Sequence, residues 1–241
     1  MSAAVGAHNR SKTKWVVAVF LATTLSCLPA AAQSRAARPM IELRPGLVIT
    51  TSVRIAPRTY RLPAPASLDS AAIVIHGDNI SVDFAGATLE GAGVGADPDR
   101  GAGVAIRVDG GRNVRIAHAR IRGYKVGIIA QGTRGLTLIG NDASHNWKPR
   151  LYSVIEHESL VDWLSYHHNE KNEWLRFGAG FYLDGVTSGE LRGNTVEQGM
   201  NGLLLTRTDS LRIHGNTFSF NSGLGIGLYR STFRTRRSMP F

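Results

Sequence analysis

The sequence predicts an all-β solenoid: a stack of thin rungs of about 22 residues, interrupted by one helical insertion. Two observations predict it. The stretch from Gly189 to Leu228 repeats itself, GELRGNTVEQGMNGLLL being followed by SLRIHGNTFSFNSGLGIGL. Leu191 and Ile213 stand 22 positions apart, as do Asn194 and Asn216. The same 22-residue step links Val114 and Ile116 to Leu136 and Leu138. Inside each repeat, apolar and polar residues alternate with the period of a strand. Gly-Asn then marks a tight corner. A rung this thin cannot bury its own apolar face, so stacked neighbours must supply the core.

The phase of the repeat also places the insertion. Leu138 and Leu191 are 53 positions apart, one period plus 31. Residues 147–177, between Asn146 and Gly178, number 31. The repeat therefore leaves at Asn146 and resumes in phase at Gly178.

NISVDFAGATLEG (79–91), RNVRIAHARIRGYKVGIIA (112–130), LTLIGNDASHN (136–146) and the two rungs above resemble the right-handed parallel β-helix of the pectin-lyase-like superfamily. The resemblance covers roughly residues 70–230 without the insert. It implies a single-stranded right-handed parallel β-helix. It implies no single activity, because that fold hosts lyases, hydrolases, epimerases, adhesins and assembly factors.

In chain order, residues 1–32 read as a secretory signal. Arg10, Lys12 and Lys14 precede an apolar run from Trp15 to Leu28, too short to span a membrane comfortably. Ala30-Ala31-Ala32 offers a cleavage site, so a mature chain starting at Gln33 is expected, secreted or periplasmic, with no stable membrane span. Cys27 is the only cysteine and lies in that leader, which excludes a disulfide framework and a thiolate metal site. Residues 33–68 read as an N-terminal cap with candidate strands Leu47–Ile55 and Tyr60–Leu62. Ala71–Ile75 and Ile80–Phe84 begin the rungs, which extend over 69–229. Residues 230–241 break the pattern and read as a basic tail or a truncation.

The insert contains no glycine. Ser153 with Glu156 three positions on is a capping-box pattern, and a helix from about Val154 to His168 is expected. His157, Val161, Leu164 and His168 would share one face. Glu156, Leu160, Trp163, His167, Glu170 and Trp174 would form the neighbouring stripe.

The charge balance argues about partners. The chain has 28 basic and 18 acidic residues, but three basic residues lie in the leader and four crowd the C-terminus. The remaining 21 against 18 leave only +3, and a nucleic-acid binder would need clustered charge as a basic stripe on the fold itself, so no nucleic-acid partner is expected. Asp97 and Asp99, in the Gly-rich loop 91–103, could bind a hard cation such as calcium, but two carboxylates are few for such a site and a solvated loop is the readier reading. No cofactor is expected. His167 and His168 are adjacent on the expected helix and point apart, so no metal site follows.

Two outward rows emerge from the period: Arg115, Thr137, Glu190, Arg212 and Ala117, Ile139, Arg192, His214. Such rows stack about 4.8 Å apart. The resemblance implies a polysaccharide lying along an outward strand face, flanked by loops. Arg192, Arg212 and His214, with Trp163 and Trp174, are the expected substrate contacts, since arginine holds a carboxylate bidentately. His167, Glu170 and Glu156 are the expected proton-transfer groups. Asn-Thr-Asp, Asp-Asp, Gly-His-Gly and Asp-Pro-His-Asp motifs are all missing, which argues most strongly against a polygalacturonase. The expectation is a carbohydrate-active lyase, hydrolase or epimerase on an acidic polysaccharide. The other class is a non-catalytic glycan-binding or structural β-helix protein of the bacterial envelope.

Overall fold

The computed structural model describes residues 38–235. The expected signal segment, residues 1–32, and its expected cleavage site lie outside the described residues. Almost every regular element is a short strand, and every named strand pairing is parallel. Three sheets run along the stack. Sheet I has seven strands, from Leu47–Ile49 through Val104–Asp109, Val126–Gln131, Ala179–Asp184 and Leu203–Thr206 to Ile226–Tyr229. Sheet II has eight, including Val53–Ile55, Arg115–Ala117, Arg134–Ile139, Thr187–Arg192, Asp209–His214 and Phe233–Thr235. Sheet III is short, with Thr88–Glu90 and Arg120–Arg122 in one part and Thr195–Glu197 and Thr217–Ser219 in the other, bridged at Asp142. The chain visits I, II and III in each rung and then climbs.

The register follows the 22-residue period. Ile116, Leu138, Leu191 and Ile213 are successive partners and form one inward column, all buried. Arg115, Thr137, Glu190 and Arg212 form an outward column, as do Ala117, Ile139, Arg192 and His214. At the corner between sheets II and III, Gly140, Gly193 and Gly215 take positive φ angles of 59°, 63° and 61°, open to glycine without strain. The asparagine beside each glycine has another task. Asn141 Nδ2 donates to Asn194 Oδ1 at 3.0 Å, and Asn194 Nδ2 donates to Asn216 Oδ1 at 2.8 Å. The ladder satisfies polar groups that the stack buries.

Two boundaries differ from expectation. The described part of the expected cap 33–68, residues 38–68, joins the stack. Leu47–Ile49, Val53–Ile55 and Thr59–Arg61 give one strand to each sheet and so make a full rung. The break after 229 is also not the end of the stack, because Phe233–Thr235 pairs with Asp209–His214. The first was hidden by irregular spacing, since Val53 to Val82 is 29 positions and Val82 to Ile116 is 34; the last strand keeps the 22-residue step from Ile213 to Thr235 but has no Gly-Asn corner to mark it.

On sheet III, Arg122 grips Asp142 with both terminal nitrogens, one at 2.8 Å from Oδ1. Burial works to raise the Asp142 pKa, but the bonds from Arg122 and Ser144 outweigh it and hold it at about 2. A carboxylate depressed in the folded state stabilises above its unfolded pKa and loses that contribution as pH falls through the folded value. Acid titration should therefore remove about 1–2 kcal/mol between about pH 4 and pH 2, allowing for partial exposure. Asp142→Asn should flatten that part of the stability curve in urea melts.

Candidate functional site

The strands of sheet I are apolar on both faces: VGIIAQ, AGFYLD, LLLT. Their inward rows fill the core. The outward side chains Ile129, Tyr182 and Leu204 need a second cover, as strands buried on both faces do. The insert supplies it. It leaves sheet III after Asn146 and returns into sheet I at Ala179. On the way Leu164, Trp174 and Phe177 join Ile129, Tyr182 and Leu204 in one buried cluster.

The expected helix over 154–168 does not form. The insert makes only three 3-10 turns, Leu160–Asp162, Leu164–Tyr166 and Glu173–Phe177. Ser153 explains this. Its Oγ donates to Asp162 Oδ2 at 2.7 Å, its N–H donates to the same oxygen at 2.6 Å, and its Oγ accepts from Ser159 N at 3.0 Å. These bonds occupy the groups that a capping box would use.

A polar lock pins the insert down. Asn169 Nδ2 donates to Thr206 Oγ1 at 2.9 Å, and Asn172 Nδ2 to Asp184 Oδ2 at 2.9 Å. Arg207 donates to Asp184 Oδ1 at 2.6 Å and to Asn172 Oδ1 at 2.7 Å. Asp184→Ala would take the carboxylate acceptor from both Arg207 and Asn172 and leave Arg207 only neutral acceptors. It should weaken insert docking by about 2–3 kcal/mol. The expected result is faster protease cleavage within 147–177 while the stack melts nearly as wild type.

Between the insert, the 91–103 loop and the edge of sheet I lies a cleft of about 630 Å³. Lys125, Arg150 and Arg176 bring cations to it; Trp147, Tyr152 and Phe177 bring rings; Asp99 and Asp162 bring carboxylates. Lys125 Nζ sits 4.4 Å from the Trp147 ring centre, and Arg176 Cζ sits 4.7 Å from that of Phe177. Trp147 is anchored by Nε1 donating to Asp99 O at 3.0 Å and by its N–H donating to Tyr124 O at 2.7 Å. Gly178 closes the floor: a Cβ there would come within 2.7 Å of Lys125 O and 2.8 Å of the Trp147 ring. Burial, and then the neighbouring Arg176 charge, lower the Lys125 pKa. Burial works to raise the pKa of Asp162, but the bonds from Ser153 outweigh it and keep the carboxylate ionised.

The expected site residues do not meet as one groove. Arg192, Arg212 and His214 stand on sheet II, whereas the insert covers sheet I. Trp174 is buried in the lid, its Nε1 donating to His167 O at 2.8 Å. The His167 ring packs 5.3 Å from that of Phe177, with Nε2 buried and unpartnered. Trp163 is half-buried and its Nε1 also lacks a partner. Glu170 accepts from Tyr229 and pairs with Arg230 at 2.8 Å. Glu156 is exposed on a turn of the insert, and His214 Nε2 meets Glu190 Oε1 at 2.8 Å. Thus His167, Glu170, Trp163 and Trp174 belong to the lid and its edge, and none lines the cleft. Lys125, Trp147 and Arg176 went unnoticed. Their signal was available: a lysine directly before an all-apolar strand, at the point where two long connections converge. Asp99 pairs with Arg100 at 3.5 Å, and no group of three or more metal-type ligands stands together among the described residues.

A family model described as a right-handed β-helix region matches residues 104–237, more than half of the chain. No curated protein and no solved structure matches the chain.

Proposed function

We propose a function from one premise: the chain belongs to the right-handed β-helix family. Our reading is that it acts on an acidic polysaccharide in the cleft between the insert and sheet I, by β-elimination. The observation that carries this is Lys125, a half-buried amine with a lowered pKa, set beside Arg176 in a cation-rich, ring-lined cleft. Arg150 and Arg176 suit a sugar carboxylate. The charge they neutralise grows when the carbon next to that carboxylate loses its proton, which is where fixed cations help most. In the step, the C5 proton passes to neutral Lys125, the C5–H electron pair forms the C4=C5 bond, and the C4–O bond breaks. The departing oxygen keeps the C4–O electron pair and takes a proton from water. Hydrolysis is less well served. It needs one carboxyl kept protonated beside a second carboxylate, and Asp162 is held ionised.

The test is a panel of acidic polysaccharides followed at about 235 nm, where unsaturated uronates absorb, with a reducing-end assay in parallel. Rising absorbance supports elimination. New reducing ends without absorbance replace it with hydrolysis. Binding with neither signal returns the cleft to a glycan-holding role.

A further inference from the structure

We propose that the outer face of sheet II docks this protein onto an anionic lipid bilayer. The face is separate from the cleft. Arg54, Arg115, Arg192, Arg212 and Arg234 occupy outward positions of its strands. Arg112 and Arg134 pair at the corner leading into it. Six of the seven are exposed and Arg115 is half-buried. Among the described residues, none of the seven is in an ion pair.

This is not for want of nearby carboxylates. Glu190 lies in register with Arg212, yet its Oε1 is taken by His214 Nε2 at 2.8 Å. Asp83 is in register with Arg54, yet its Oδ1 meets His118 Nδ1 at 2.9 Å. Asp209 accepts from Thr232 and from its neighbour Ser210. The histidines hold the acids, and the guanidinium groups face solvent. They spread over seven consecutive strands of the sheet, a band about 29 Å long at the usual strand spacing.

The surroundings select the partner. The long connections, 91–103 and 147–177, both join sheet III to sheet I, so neither walls this face. The turns that enter and leave sheet II are short, as at Gln131 to Arg134 and Asp184 to Thr187. The uncharged outward positions between the arginines include Ser81, Ala117, Thr137 and Ile139. These outward positions carry no Phe, Tyr or Trp, and the imidazole of His214 is held by Glu190, so the face lacks the aromatic stacking platform that single-stranded nucleic acid uses and the protruding element that reads a duplex groove. An open, two-dimensional spread of unpaired cations fits a planar surface of mobile anionic headgroups, each arginine adding to the attraction within a Debye length.

Vesicle sedimentation with the full chain tests this, comparing phosphatidylcholine alone with vesicles of about one-third phosphatidylglycerol. The readout is the part of the binding that depends on anionic lipid, compared between wild type and variants that carry the same leader, since Arg10, Lys12 and Lys14 before the apolar run also attract anionic headgroups. Arg192→Gln with Arg212→Gln should weaken that part about 20- to 30-fold. The matching lysine pair should keep most of it, and Arg120→Gln on sheet III should leave the doubled-arginine effect unreproduced. Raised salt should release the wild-type protein. Melting of the glutamine double variant should match wild type. Equal binding to neutral and anionic vesicles, or wild-type binding by the glutamine double variant, overturns the proposal. So does loss of retention on an immobilised polyanion with vesicle binding unchanged, which would assign the face to a polymer.

Discussion

Replacing Leu191 with aspartate is expected to destabilise the stack by several kcal/mol, enough to unfold it under ordinary conditions. Leu191 has no solvent exposure and sits in register between Leu138 and Ile213. Removing its side chain costs about 2–5 kcal/mol in transfer and cavity terms. Placing a carboxylate there adds several more, or forces it to protonate, because the column holds only aliphatic partners. A domain of this size has about 5–15 kcal/mol in total. A solenoid shares its core between neighbours, so a lesion in a middle rung weakens the interfaces on both sides. Far-UV circular dichroism against temperature reads the effect. The neighbouring Arg192→Ser, on an exposed outward position, should stay within about 0.5 kcal/mol of wild type. A Leu191→Asp protein melting like wild type would mean that the inward column has been misassigned.

That column was readable before any coordinates because sheet II alternates. RGLTLI, TSGELR and DSLRIH each give one apolar and one polar face, so a single register satisfies all of them. Sheet I is different in kind. Its strands are apolar on both faces, which a period-two reading does not resolve, and the outward row Ile129, Tyr182 and Leu204 passed as more core. Those extra apolar positions are the imprint of the insert. The first rung, Leu47 to Arg61, was missed for another reason: the early turns lengthen the repeat to 29 and then 34 positions, and no fixed offset links it to the rest.

The site was half legible. The phase of the repeat fixed the rung at which the insert leaves, but the sheet it covers follows from the corner it leaves by. Asn146 is at the end of sheet III, and the next strand belongs to sheet I, so the lid falls there and not over Arg192 and Arg212. The helix failed because a local pattern, Ser153 and Glu156, competed with a bond spanning nine positions to Asp162. Sequence spacing alone carries no sign of that contact. The tryptophans and histidines of the insert were read as chemistry, whereas Trp174 and His167 pack the lid. The cleft takes its residues from four separated stretches, at Asp99, Lys125, 147–177 and Met200, which only the stacking brings together.

Once a substrate is found, Lys125→Arg is expected to lower turnover by about 10²- to 10⁴-fold, the usual worth of a placed proton-transfer group. The cation over the Trp147 ring is retained in that variant, so substrate affinity should change little. Arginine stays protonated at every working pH and cannot accept the C5 proton. Lys125→Gln should lose turnover and some affinity together, because the charge goes as well. The pH profile separates a base from a mere binding cation. A base must be neutral, so wild-type turnover should rise with pH through the Lys125 pKa, which burial and Arg176 hold below the ordinary lysine value. Arg176→Gln removes a like charge that disfavours the ammonium form. It should therefore move the rising limb to higher pH, besides raising KM. A rising limb that stays put in Arg176→Gln would detach Lys125 from the titration. Wild-type turnover in Lys125→Arg would show that the proton leaves by another group, and the cleft would remain a site for holding the acidic chain.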